Sequence, residues 1–431
     1  MNTKENILGY EKLSKLLKSF AVPSIIAMVV SSLYNVVDQI FIGQGVGYLG
    51  NAATNVSYPL TTICLSIALL IGIGSASRYS LYLGAGEPDK AAKVVGDGIS
   101  MMIFCGIVYA ILIELFIHPM LTAFGATDKV MPYALDYTRI TAVGMPLLIV
   151  TNGISNLARA DGSPKYSMTC MLVGAVINTI LDPIFIFPLG MGVAGAAIAT
   201  VIGQFFSCLM ALRYVPHFQQ VKLNRSHFGL HFRRWPSNVS LGLSSCLNQM
   251  ALTVVQIVLN NSLTYYGAMS VYGKDIPLAA CGIVMKTNSL LLAVIIGISQ
   301  GLQPIVGFNY GARKYGRVQK AYRLAISCNL VISALGFCMF QFFPRQIISL
   351  FGSGDETYNF FAAIGKPIKG MILSLTRQVL FLIPLLLILP IFFGLDGILF
   401  SGPVADFSAF LVTSFLIIRE MKSMKKLENA I

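Results

Sequence analysis

The chain has 431 residues, of which 55% are hydrophobic and only 11% charged, and its mean hydropathy is +0.73. A soluble globular domain is about half apolar and about a quarter charged, so this composition excludes one and calls for a polytopic membrane protein. The formal net charge of +13 points at first to a polyanion partner, but the basic residues fall in alternate short loops, which is how a membrane protein sets its orientation; nucleic acid is excluded as a partner.

A run of about 20 apolar residues crosses the hydrocarbon as a helix. Eleven such runs follow one another, roughly over 20–42, 52–77, 98–117, 133–157, 166–187, 192–213, 237–263, 276–306, 319–343, 370–392 and 396–418, so the fold class is an all-α, multi-pass membrane protein. The segment before span one carries Lys4, Lys12, Lys15 and Lys18 without a cleavage-site pattern, and the first run is read as a retained span. Span one contains Tyr34-Asn35-Val36-Val37-Asp38-Gln39, where Tyr34, Asn35 and Asp38 share a helix face. An ionised carboxylate in hydrocarbon costs several kcal/mol, so an aspartate kept there faces a partner, an ion or a water path. The alternative is that it lies near the span end and reaches the headgroups.

Arg78, Lys90 and Lys93 follow span two, and Arg159 and Lys165 separate spans four and five, which places these loops and the N-terminus in the cytoplasm. Asp136 and Arg139, at the start of span four, are expected to form a local ion pair near the outer surface. Span five repeats the theme of span one: in Asn178-x-x-x-Asp182-Pro183 a spacing of four puts amide and carboxylate on one face, and the proline loosens the backbone beyond them. The link of about 214–236 has no apolar run and carries Lys222, Arg225, Arg233 and Arg234; its three histidines, His217, His227 and His231, are too irregularly spaced for a zinc site. Spans seven and eight hold Asn248, Gln249, Gln256, Gln300 and Gln303, which either line a substrate cavity or hydrogen-bond between helices. Lys286, a cation well inside span eight, either serves that cavity or snorkels, and Tyr34 and Asn35 join these residues as candidates for the lining. The 27 Phe and 18 Met offer an adaptable, polarisable surface to varied substrates. The eight cysteines lie within spans without CxxC spacing and read as packing residues. No HExxH, phosphate loop or nucleophile elbow is present, so no enzyme is expected.

The chain is duplicated. Gly84-Ala85 matches Gly311-Ala312, and Phe124-Gly125-x-x-Asp128 matches Phe351-Gly352-x-x-Asp355, at a shift of 227 residues. Gly162-Ser163-Pro164 then matches Gly365-Lys366-Pro367 at a shift of only 203. The 24 lost residues fall between Asp355 and Gly365, where the first half has its fourth span. The expected organisation is therefore a six-helix lobe over 1–213, a basic cytoplasmic linker over 214–236 and a five-span lobe over 237–431, a two-bundle transporter with its pathway between the halves. Nine spans put Pro344 to Asp355 outside, and about ten residues then remain to reach the next cytoplasmic landmark, enough to cross only if nearly extended. The last two spans are expected either to insert inverted or to pack under strain around a hole, with weak or absent transport.

The stretch from Tyr34 to Gly43, the run Asn178-Thr-Ile-Leu-Asp182-Pro-Ile-Phe and the Pro304-x-x-Gly307-x-Asn309-x-Gly311 ending of span eight closely resemble the multidrug and toxic compound extrusion (MATE) family, most of all its bacterial multidrug export proteins and DNA-damage-inducible F proteins. The resemblance covers the chain apart from the gap. It implies twelve helices in two six-helix lobes, a place in the bacterial plasma membrane, and export of small organic cations in exchange for H⁺ or Na⁺. It also implies a cation or proton site in the first lobe at Asp38, Asn178, Asp182 and, in span six, Thr200. At about 1.5 Å per residue, Asp38 lies about 8 Å below Gly43, Asp182 about 9 Å below Pro188 and Thr200 about 12 Å below Gly192, so all meet in the outer half of the lobe. Oxygen-only ligands suit Na⁺ or a shared proton rather than a transition metal, and two carboxylates this close titrate as a pair. The expected partners are the bilayer and the organic cation, with no cofactor beyond the coupling ion and a monomeric state. Two rivals stand beside this reading: a lipid-linked oligosaccharide flippase of the wider superfamily, which calls for arginines in the cavity, and a non-transporting remnant, suggested by the missing span.

Overall fold

The computed structural model describes residues 6–268, 275–342, 382–389 and isolated helical positions between 401 and 419. The expectations for the gap between Asp355 and Gly365 and for the orientation of the last two spans lie outside the described residues. Within them the regular elements are helices: α1 (Leu13–Val46), α2 (Tyr48–Gly84), α3 (Pro88–Ala123), α4 (Met131–Ala160), α5 (Pro164–Ile186), α6 (Gly192–Tyr214), α7 (Trp235–Ser240), α8 (Leu243–Ala268), α9 (Asp275–Gly311) and α10 (Tyr315–Phe342). Seven are long and apolar enough to cross a membrane. The helices run past the apolar stretches that announce them; α2 has 37 residues, and since about 20 fill the hydrocarbon, its ends project into the headgroup layers.

Helix boundaries follow local chemistry. Gly162 takes φ +94° two residues after α4 ends, a conformation that side chains resist, and Pro164 then opens α5 with the φ that a helix needs. Prolines inside α1, α2, α4, α5 and α9 are absorbed without a break, whereas α3 is kinked at Phe116 (φ −119°, ψ 19°), three residues before Pro119. Pro183 therefore removes one backbone donor but does not end α5, which continues to Ile186.

The chain divides into two compact units, Ile26–Gly242 and Met1–Ile25 with Leu243–Ile431. In the first, α2 and α4 touch backbone to backbone: a Cβ on Gly72 would lie 2.9 Å from Gly153 Cα, the small-residue crossing typical of membrane helices. The link after α6 packs within this unit, held by two buried carboxylates. Asp161 Oδ1 accepts from the Tyr79 hydroxyl and from Gln220 N (3.1 Å), while its Oδ2 accepts from the Tyr214 hydroxyl (2.7 Å) and from Gln219 N (2.6 Å). Asp97 meets His231 Nδ1 at 2.7 Å and Arg234 at 3.5 Å.

In the other unit, the 3-10 turn Ile7–Gly9 is clasped by the end of α9 and the start of α10. Buried Asn309 donates to Leu8 O (2.8 Å) and accepts from Arg317 Nε (3.1 Å), Arg317 also donates to Glu11 O (2.8 Å), and Lys314 donates to Gly9 O (3.0 Å). The Pro304-to-Gly311 motif thus serves here as a receptor for the N-terminal segment.

Candidate functional site

The α5–α6 crossing is built on glycine. A Cβ on Gly203 would meet Gly174 O at 2.7 Å, and one on Gly174 would meet Ser207 Oγ at 2.2 Å. Gly174, Asn178 and Asp182 follow at intervals of four on one face of α5, so the close approach at Gly174 carries Asn178 to Thr200 of α6 one turn further out. Asn178 Nδ2 lies 3.1 Å from Asp182 Oδ1 and 3.2 Å from Thr200 Oγ1. Helix α1 arrives by a second matched contact. Ile42 and Ile186 share an apolar cluster with Ala196, and the Phe41 and Phe187 rings stack edge to face at 6.4 Å. Asp38 lies one turn inward of Ile42 and Asp182 one turn inward of Ile186, so the same packing levels the two carboxyl groups.

Asp38 and Asp182 are close enough for their carboxyl groups to act on each other, and two carboxylates so placed repel unless a proton or a cation lies between them. Asp182 is fully buried. Three buried oxygens around it, Asp38 Oδ1, Asp182 Oδ2 and Asn178 Oδ1, have no hydrogen-bond partner. Unsatisfied buried acceptors are costly, and oxygens alone at this site fit a proton or a hard cation such as Na⁺. The phenol of Tyr34 is within electrostatic range of both carboxylates, and so is that of Tyr137 from α4. Tyr137 was not singled out by the sequence, because a tyrosine near a span end also fits the interfacial aromatic belt.

Asn35 is exposed and bonds its own helix at Ser31 O (2.7 Å). Gln249 and Gln256 are half-buried on α8, and Gln300 is buried on α9; Gln256 and Gln300 are engaged by neighbouring groups. Gln249, Gln256 and Gln300 belong to the other compact unit. The Lys286 side chain lies outside the described residues. Asp136 and Arg139 are both exposed, and the ion pair expected between them is not formed. The three linker histidines are dispersed: His217 bonds Arg213 O, His227 caps Asn224 N and His231 meets Asp97.

The sequence model of the MatE family matches residues 23–184 and 245–401. Among curated proteins, the FAD transporter of Shewanella oneidensis is 25% identical over 427 residues, covering 91% of this chain and 92% of that one. The multidrug export protein MepA of Staphylococcus haemolyticus is 24% identical over 443 residues, covering 96% and 95%. Among solved structures, the outward-facing conformation of a multidrug resistance MATE family transporter superposes with a TM-score of 0.89 at 22% identity, over 99% of this chain and 100% of that one. A transporter of the same superfamily from Pyrococcus furiosus, described as having a binding pocket of reversed polarity, superposes with a TM-score of 0.86 at 22% identity over 99% of both chains.

Proposed function

The chain belongs to the MatE family of multi-pass membrane transporters and is not an enzyme, and from that premise we propose that it exports small organic cations across a bacterial plasma membrane in exchange for H⁺ or Na⁺, with Asp38, Asn178, Asp182 and Thr200 as the coupling site. The observation that carries this reading is the buried Asp38–Asp182 pair with three unpaired oxygens around it. Such a pair cannot stay doubly charged and dry, so it takes up a proton or Na⁺ in one facing state and releases it in the other. Asn178 holds Asp182 and Thr200 in register, and Tyr34 and Tyr137 extend the polar wall. The ion's different affinity for the two facing states then drives exchange with the substrate.

The test is efflux of a fluorescent organic cation from liposomes containing the purified protein, under an imposed pH or Na⁺ gradient. Asp38→Asn and Asp182→Asn keep side-chain volume and remove the titratable charge, so each abolishes gradient-driven efflux while membrane insertion persists. Export by Asp182→Asn at the unmodified rate would overturn the assignment. An unmodified protein that inserts and stays folded but exports nothing under either gradient would support the non-transporting reading. FAD, the cargo in the Shewanella relative's name, belongs in the same vesicles as a rival substrate, since its phosphates oppose an acidic site. Gradient-driven export of FAD without the cation would replace the substrate class and leave the coupling residues in place.

A further inference from the structure

The linker segment after α6 has two sides. His227, Gly229 and His231 turn towards α3: a Cβ on Gly96 would lie 2.2 Å from His227 O, Gly229 N donates to Ser100 Oγ at 3.1 Å, and His231 reaches Asp97. Three apolar neighbours are exposed instead. They are Phe228, Leu230 and Phe232, which are 36%, 49% and 56% exposed, large values for residues that no soluble surface favours.

The position of this edge is set by α3. Lys93 is exposed near the start of the helix, whereas every exposed side chain from Ile103 to Leu112 is apolar, which is the composition of a lipid-facing surface. The outward edge of the linker joins α3 where that surface begins: Phe104 stacks with Phe232 at 5.8 Å and with Trp235 at 5.6 Å, and Phe232 with Trp235 at 4.5 Å. Aromatic side chains at the edge of the hydrocarbon are the mark of a membrane interface. Arg225 and Arg233 flank the edge, both exposed, with no carboxylate among the described residues in ion-pair distance of either. The basic loops place this level of the protein at the cytoplasmic leaflet, whose surface attracts such cations when it contains anionic lipid.

We propose that the linker segment 225–235 is an interfacial anchor that seats Phe228, Leu230, Phe232 and Trp235 in the cytoplasmic leaflet and selects anionic phospholipid headgroups through Arg225 and Arg233. The continuity with the lipid-facing side of α3 and the uncompensated positive charge both favour an acidic lipid as occupant. The inward side, fixed by Asp97 and Ser100, holds the segment against α3 at the level that this contact needs.

Trp235 is the single tryptophan of the chain, so its emission reports this anchor alone. The full-length protein is placed in phosphatidylcholine vesicles containing a minor share of phosphatidylglycerol, with bromine near the headgroup end of the acyl chains of one lipid or the other. Trp235 is quenched in both, more per brominated molecule by phosphatidylglycerol, and salt reduces the difference. Arg225→Gln with Arg233→Gln lowers the preference by about fivefold for each arginine removed, whereas lysine at both positions retains it. Equal quenching by the two lipids would overturn the headgroup selection. Quenching by aqueous iodide with none from any brominated lipid would overturn the anchor itself.

Discussion

Replacing Asp161 by asparagine tests whether the link after α6 is held by that carboxylate. Each of its oxygens accepts two donors, a tyrosine hydroxyl and a backbone N–H. Asparagine keeps one acceptor oxygen, and whichever way its amide is turned, the NH₂ group confronts a backbone N–H, that of Gln219 or of Gln220. A hydroxyl can rotate and become the acceptor; a backbone N–H cannot. The substitution leaves one donor unmet, at about 1–3 kcal/mol, and turns charge-assisted bonds into neutral ones, for about 2–4 kcal/mol in all. Lys222 and Arg225 are exposed in the segment that this contact fastens, so trypsin reads its opening directly. Where opening and closing outpace cleavage, the rate follows the open population and rises by about 30- to 900-fold for that loss. Asp136→Asn, at an exposed acid without an ion-pair partner among the described residues, is the control and leaves the rate unchanged. Cleavage of Asp161→Asn at the unmodified rate would refute the reasoning, because it would mean that the link is held without that carboxylate, by Asp97, Ser100 and its apolar contacts.

Gly72→Ala drives a methyl group to within 2.9 Å of Gly153 Cα, an overpacking cost of about 1–3 kcal/mol, and should lower the thermal unfolding midpoint in detergent; an unchanged midpoint would mean that the two helices can part freely. Asn309→Ala deletes the donor to Leu8 O and the acceptor of Arg317 Nε, so hydrogen exchange over residues 7–12 should accelerate by about tenfold or more, while exchange in α5 stays as it was. If Na⁺ binds at Asp38 and Asp182, the melting temperature of the purified protein should climb with ln[Na⁺] above the dissociation constant, and Asp182→Asn should remove the slope. A flat response in the unmodified protein, with efflux that follows pH, would assign the coupling to protons.

The first six helices are legible in the sequence because burial in hydrocarbon demands long, nearly uncharged runs, and the only charges in spans one and five then stand out. The grouping of Asp38, Asn178, Asp182 and Thr200 is what the family resemblance implies, and helix geometry agrees with it: intervals of four fix a face and the rise per residue fixes a depth, so residues on three helices can be levelled without coordinates. What escapes such counting is any contact set by a loop. Asp161 and Asp97 lie just outside the apolar runs, where charged residues are usually solvated, and nothing local says that four donors converge on one of them. Asp97 does carry a faint signal, since it stands between Gly96 and Gly98 and the first of these makes room for His227 O. The pair Asp136 and Arg139 errs in the other direction: a spacing of three permits contact, but an exposed pair gains too little to hold two flexible side chains together.

The fastening of the link to the first unit decides where the gene can be cut. A fragment ending at residue 213, where the apolar run of span six stops, would keep Asp161 and Asp97 but discard Tyr214, Gln219, Gln220, His231 and Arg234, leaving two buried acids stripped of most of their donors. A cut after Gly242 keeps every one of those contacts. Co-expressed halves divided there would keep the link's polar partners on one fragment, while the contacts of Asn309, Lys314 and Arg317 with Leu8, Gly9 and Glu11 would have to form between the two fragments; for the link, judged by chemistry rather than by hydropathy, the cut belongs some thirty residues later than the end of span six.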